Sequence, residues 1–159
     1  MSGMSKIVKT ISNIAFPFVL IYGLYIIAHG HLTPGGGFQG GAVVASGCAM
    51  ILVSYGSIWT MKKVKEKQLS ILESAGAVSF IVLGFLGLVY GSIFFNNYLV
   101  GNDYLFGEVP AIKSTLANFN TAGILPLMNF AVGLKVIAGL FAIVLVMAYA
   151  TSKKKGEIE

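Results

Sequence analysis

Few residues in this sequence of 159 could carry chemistry. His29 and His31 are the only histidines, and Glu73 and Lys135 are charged residues within long apolar runs. A histidine pair could bind a metal ion or exchange protons near neutral pH. A carboxylate or an amine in an apolar run could lie on an ion path. Lys135, Glu73, His29 and His31 are therefore our candidates for an ion path or for pairing with a partner.

The spacing of the histidines argues against a metal site. Residues at i and i+2 do not share one face of a helix. Cys48 is the only soft ligand that could join them, and it lies about three turns further along the next predicted helix. We expect no metal and no cofactor. Hydrogen bonding of the imidazoles to nearby backbone and proton exchange near a membrane surface both remain open.

Lys135 is the most informative charge. It lies ten residues into the last apolar run, so a helix would place it about 15 Å from the start of that run. A lysine near the middle of a bilayer costs about 2.5–3.5 kcal/mol and normally faces a cavity or a partner. We expect no direct pair with Glu73, because Lys135 lies about 21 Å from the other end of its helix.

Glu73 allows two interpretations. It lies at the start of the third apolar run, where a carboxylate is favoured by the positive end of the helix dipole. It could equally take part in a proton path. No other acidic residue lies within an apolar run, so the sequence offers Lys135 no obvious partner in its own chain.

The stretch His29–Gly41 reads HGHLTPGGGFQGG and predicts a sharp break. Proline lacks an amide donor and glycine adopts almost any φ, so no helix should run through PGGG unaided. Beyond it, small residues recur every fourth position, as on membrane helices that approach closely. A broken helix can also line an ion site. The residues assigned to this motif and its packing are Gly30, Pro34, Gly35, Gly36, Gly37, Phe38 and Gly41.

Composition places the chain in the membrane class. It is 56% hydrophobic and 11% charged, whereas soluble domains carry roughly 25% charged residues. Four apolar runs reach the roughly 20 residues that a bilayer requires. We predict an all-α, single membrane domain over residues 1–159, in contact with lipid and not with nucleic acid. Its predicted spans are 8–28, 38–59, 71–95 and 125–150.

Smaller features refine this prediction. Pro17 would be tolerated best if the first helix began late. Gly84, Gly87 and Gly91 predict a second close-packing face, and Pro110 could begin a short interfacial helix. Nine of the eleven lysines lie in the N-terminal segment, the 61–68 loop and the C-terminal tail. This asymmetry predicts that both termini are cytoplasmic, and that the glycine break lies on the outer side or folds back into the membrane there.

The sequence HGHLTPGGGFQGGAV resembles the signature of the MnhB/MrpB-type subunits of multisubunit Mrp cation/proton antiporters. The final helix, with NFAVGLKVIAG around Lys135, is similar more loosely. Related subunits occur in membrane-bound hydrogenase and sulfur-reducing complexes. The resemblance implies a small subunit next to larger membrane subunits, in a prokaryotic cell membrane, with Na⁺/H⁺ exchange as the expected activity of the complex and no turnover of its own.

Three alternatives remain open from the residues alone. The chain could be a purely structural subunit with no residue on an ion path. It could be a membrane enzyme that uses the histidines, although a nucleophile–base set and a metal shell are missing from the sequence pattern. It could also be a small transporter that forms a homo-oligomer. The cation, the type of host complex and the residues on the ion path are left undecided.

Overall fold

The computed structural model describes residues 4–32, 35–99 and 122–156, and within these residues the protein is all-α. Four of its helices are long and apolar enough to cross a membrane, which confirms the predicted four-span, multi-pass class. The helices are α1 (Lys6–Ala28), α2 (Gly36–Tyr55), α3 (Ser57–Lys63), α4 (Glu66–Gly91) and α5 (Leu125–Gly156).

The second predicted span is too long, because Gly56 interrupts it. Gly56 has φ 90° and ψ 155°, a conformation that ends α2 at Tyr55. The chain then forms the seven-residue helix α3, whose last turn carries Lys62 and Lys63. The predicted 61–68 loop is therefore mostly helical. Lysines at the end of a helix interact favourably with its negative pole.

The first helix does not begin late. It starts at Lys6, where the Ser5 hydroxyl accepts a hydrogen bond from the Val8 amide, so Pro17 lies within the helix. A proline at this position leaves the carbonyl of Asn13 without its helical amide partner. The apolar surroundings of a long membrane helix nevertheless hold α1 continuous through Pro17.

The third predicted span ends early because the chain folds back on itself. After Gly91, Ser92 and Phe95 have φ values of 62° and 59°, in the left-handed region. The Phe95 amide then donates a hydrogen bond to the carbonyl oxygen of Gly84 (3.2 Å). Gly84, Gly87 and Gly91 do form a close-packing face, but its partner is this returning segment and not a neighbouring helix. The predicted helix at Pro110 lies outside the described residues.

Asn97 joins the two ends of the long connection between α4 and α5. Its side-chain amide donates to the carbonyl oxygen of Ala122 (3.0 Å), and its Oδ1 accepts from the amide of Ile124 (2.8 Å). Ile124 is buried immediately before the first residue of α5. One side chain therefore fixes where the last helix begins.

The long helices pack in the spatial order α1, α2, α5, α4. Helix α2 is in contact with both α1 and α5, and α5 is in contact with both α2 and α4. Near the lysine-rich end, Leu52, Leu69, Phe141 and Leu145 form an apolar cluster that joins three of these helices. Among the candidate residues, Lys135 lies on the inner helix α5, Glu73 lies on the outer helix α4, and His29 and His31 lie between α1 and α2.

The orientation of the chain stays a prediction that labelling can test. Cysteines placed at Ser2 and at Ser152, in a background without Cys48, should react only with membrane-permeant reagents because the lysine asymmetry puts both termini in the cytoplasm. Reaction of either cysteine with an impermeant reagent applied to intact cells would reverse the assigned orientation.

Candidate functional site

The glycine break is built from the end of α1 and the start of α2. The His29 amide caps α1 by donating to the carbonyls of Tyr25 and Ile27, and its ring lies 4.2 Å from the Tyr25 ring. Nδ1 of His29 is 3.1 Å from the Tyr25 carbonyl oxygen, while His31 is half-buried. The imidazole of His29 is thus tied to the backbone of its own helix. Pro34 lies outside the described residues.

Glycine is required at the start of α2 for two different reasons. Gly35 has φ 82°, which side chains other than glycine rarely adopt, and its carbonyl accepts from the amide of Gln39 (2.9 Å). Gly36 lies against the backbone of Gly30, so a Cβ on Gly36 would overlap the Gly30 Cα. The chain therefore crosses over itself with no space for a side chain.

Helix α2 presents glycine on two faces. A Cβ on Gly37 would lie 2.8 Å from the Asn129 carbonyl oxygen, and one on Gly41 would lie 2.8 Å from Val136 Cβ, both on α5. On the other face, a Cβ on Gly40 would lie 2.6 Å from the carbonyl oxygen of Gly23 in α1. Apolar carbons prefer separations of about 3.5–4.0 Å, so a side chain at any of these three positions would be too close to its neighbour. Both interfaces therefore require glycine.

Lys135 lies in a groove on the surface of the chain. The groove has a volume of about 470 Å³ and is formed by α2, α4 and α5. Its other lining residues are apolar, among them Phe38, Phe80 and Ile81. Lys135 is exposed, and none of the described carboxylates lies within 4 Å of its amine. The other residues that line this groove present no charged side chain to Lys135.

The structure brings Glu73 closer to Lys135 than depth counting predicted. The Glu73 Oε1 atom lies 3.4 Å from the position that a Cβ on Gly139 would occupy. Gly139 is four residues, or one helical turn, beyond Lys135 on α5. The two charged residues therefore occupy facing helices about one turn apart, although the structure shows no ion pair between them.

Two glycines that were not among the predicted site residues lie at this contact between α4 and α5. A Cβ on Gly76 would lie 2.8 Å from the Lys135 amide nitrogen, which brings α4 against the backbone of α5. Gly139 lies beside the Glu73 carboxylate, at a distance where a methyl group would still fit. The sequence did indicate a close approach of α4 and α5, because Gly76 lies about one turn from Glu73 and Gly139 about one turn from Lys135.

Asn129 was missed as well. Its side chain lies under the glycine break, where a Cβ on Gly30 would be 2.7 Å from its Nδ2 atom. Asn129 and Lys135 are six residues apart on α5, so they occupy different faces of that helix. Among the described residues there is no group of three or more metal-ligating side chains. The arrangement can hold charge and polar contacts, on two separate faces of α5.

Comparison with known proteins identifies the family of the chain and a solved structure with a similar fold. Residues 7–142 match a family described as a domain related to the MnhB subunit of the Na⁺/H⁺ antiporter. An uncharacterised protein of Methanocaldococcus jannaschii is 36% identical over 146 residues, which cover 88% of this chain and 52% of that protein. A Na⁺/H⁺ antiporter subunit of Bacillus subtilis is 26% identical over 88 residues, 55% of this chain and 61% of that protein.

A solved structure shares the fold. A chain of the membrane-bound sulfane sulfur reductase, an archaeal respiratory membrane complex, superposes with a TM-score of 0.70 at 24% identity, covering 92% of this chain and 61% of that one. The present chain thus spans little more than half the length of these three proteins. The family match over residues 7–142 contains the glycine break, nearly all of α1, all of α2, α3 and α4, and the first part of α5.

Proposed function

Because the chain belongs to the family of domains related to the MnhB subunit of Na⁺/H⁺ antiporters, we propose that it is a small membrane subunit of a multisubunit cation/proton-translocating complex. The complex is either a standalone Mrp antiporter or a respiratory assembly of the membrane-bound hydrogenase type that contains such a module. Na⁺/H⁺ exchange is the expected activity. The chain acts with other membrane subunits in a prokaryotic cell membrane and has no catalytic turnover of its own.

The observation that carries this proposal is the position of Lys135. Lys135 lines an apolar groove that opens on the surface of the chain, and it lies ten residues into α5. Lipid cannot solvate an ammonium group at that depth, so a carboxylate or an enclosed water chain contributed by a neighbouring subunit must cover the groove. The subunit would thereby place a positive charge at an interface inside the complex.

Glu73 adds a carboxylate on α4, the helix that packs against the part of α5 that carries Lys135. A carboxylate and an ammonium group about one turn apart attract each other more strongly in a low-dielectric region than they would in water. We propose that the pair acts as a unit beside the ion path. His29 and His31 belong to the outer break, where their proposed role is to shape the interface.

A purely structural role is the second candidate, and the glycine contacts favour it. Gly36, Gly37, Gly40 and Gly41 are all buried against other described residues of this chain. These contacts explain how the chain folds without assigning any residue to an ion path. The effect of removing the Lys135 charge separates the two candidates, because a structural subunit would lose assembly and not transport.

Photo-crosslinking tests whether another protein covers the groove. A photoreactive residue at Ile81, which lines the groove, should form a protein adduct in the intact complex. The same probe at Val89, which is 75% exposed on α4 away from the groove, is the matched control. Mass spectrometry of the Ile81 adduct would name the neighbour and so distinguish an antiporter from a respiratory complex. Adducts to lipid alone at Ile81 would contradict the proposal.

A further inference from the structure

A second cavity lies among α1, α2, α3 and α5, away from the Lys135 groove. It has a volume of about 340 Å³, within the range of small-molecule pockets (roughly 300–1,000 Å³). Its walls are apolar and come mainly from Phe16, Ile51, Trp59 and Phe141. The exposed Lys63 also lines it. The pocket thus combines an apolar interior with one cationic side chain.

The surroundings of this pocket are those of a membrane–water interface. Trp59 stacks on Tyr55 with ring centroids 4.4 Å apart, and the Lys9 amine lies 5.5 Å from the Tyr55 ring centroid. Tryptophan and tyrosine are enriched at this level of a membrane. The short segment from α3 into α4 carries four lysines and one glutamate, so the local charge is strongly positive. An anionic group is therefore favoured beside the mouth of the pocket.

The dimensions of the pocket favour a narrow occupant. A protein helix is about 10 Å across, so less than one helical turn would fill 340 Å³. A single hydrocarbon chain can enter such a space along its length. A molecule with a hydrocarbon chain and an anionic head matches both the walls and the lysine.

We propose that this pocket binds one hydrocarbon chain of an anionic phospholipid, with Lys63 holding the phosphate of its headgroup. Lys62, which precedes Lys63 in the last turn of α3, adds positive charge at the same level. The short helix α3 is then a lipid-binding element. The site is separate from Lys135 and Glu73, so it does not depend on the ion-path assignment.

The single tryptophan of the chain gives a direct test. The protein is reconstituted in phosphatidylcholine vesicles that contain a small, fixed mole fraction of phosphatidylglycerol. Bromine atoms on the lipid chains quench tryptophan fluorescence on contact. At equal mole fraction, brominated phosphatidylglycerol should quench Trp59 more strongly than brominated phosphatidylcholine, because the pocket concentrates the anionic lipid beside the indole.

Two variants and one control make the result specific. Lys63→Gln should abolish the preference for phosphatidylglycerol, and Ile51→Phe, which fills part of the pocket, should reduce quenching by that lipid. Lys67→Gln removes a lysine outside the pocket and should keep the preference. Equal quenching by both lipids in the wild type would overturn the proposal. So would equal losses in Lys63→Gln and Lys67→Gln, or quenching unchanged by Ile51→Phe.

Discussion

Replacing Lys135 by methionine is expected to lower ion transport per assembled complex by about tenfold or more, a barrier change of about 1.4 kcal/mol. Methionine keeps most of the apolar stem and removes the charge. Insertion of α5 should become easier, because the cost of about 2.5–3.5 kcal/mol for a mid-membrane lysine disappears. A loss of transport would therefore not result from failed insertion. The measurement is cation/proton exchange in vesicles, normalised to the amount of purified complex.

Neighbouring substitutions give the controls. Leu134→Met changes the adjacent exposed residue of α5 without removing a charge and should transport as the wild type does. Lys135→Arg keeps the charge and should retain part of the activity. If Lys135→Met assembled poorly but transported normally per complex, the chain would be a structural subunit and the ion-path assignment of Lys135 would be wrong.

The proposed coupling to Glu73 is tested by the same assay. If the two charges act as a unit, Glu73→Gln combined with Lys135→Met should cost less than the sum of the single substitutions. Additive losses would show that the carboxylate and the amine act independently, despite lying about one turn apart across the α4–α5 seam.

Replacing Gly36 by alanine is expected to destabilise the protein by about 1–3 kcal/mol, the usual effect of inserting atoms into a packed site. The added methyl group would occupy the position of the Gly30 backbone, which cannot rotate away as a side chain can. The start of α2 would have to move, and with it the contacts of α2 to α1 and α5. Thermal unfolding of the purified chain in detergent measures the loss.

Gly139→Ala is the matched control for this substitution. The nearest atom to a Cβ at Gly139 is the Glu73 Oε1 at 3.4 Å, an ordinary contact, so the methyl group fits. Alanine also favours a helix by about 0.8–1.0 kcal/mol over glycine. The control should therefore unfold at the wild-type temperature or above it. Equal stability of Gly36→Ala and the wild type would mean that the chain crossing at Gly30 is not tightly packed.

The sequence was sufficient to predict the four helices and the break between the first two. Long apolar runs demand helices in a membrane, and the PGGG run cannot continue one. The sequence pattern did not show which segment packs against each glycine-rich face. Gly84, Gly87 and Gly91 have helix-packing spacing, yet they pack against residues 93–96 because two left-handed residues reverse the chain. Local spacing identifies a close-packing surface but not what covers it.

Depth counting expected no direct pair between Glu73 and Lys135, and the described residues show none, but the two residues lie closer together than the counting suggested, for a related reason. Distances along one helix were measured from its own ends, and α5 runs to Gly156, beyond the predicted end at Ala150. The level of one helix against another is set by contacts across their interface, here Gly76 against the Lys135 backbone and Gly139 beside the Glu73 carboxylate. The relative level of two packed helices depends on tertiary contacts. In this sequence, the indication of those contacts was the small residues Gly76 and Gly139, each about one turn from a charged residue.

The two hydrogen bonds of the Asn97 side chain make the connection before α5 a suitable site for inserting a tag. One side chain holds residues 97, 122 and 124 together, so we expect the register of α4 and α5 to depend on this contact more than on the length of chain between these points. An epitope or a fluorescent domain inserted there should leave the register of α4 and α5 intact, giving a marker for locating this subunit in images of the whole complex.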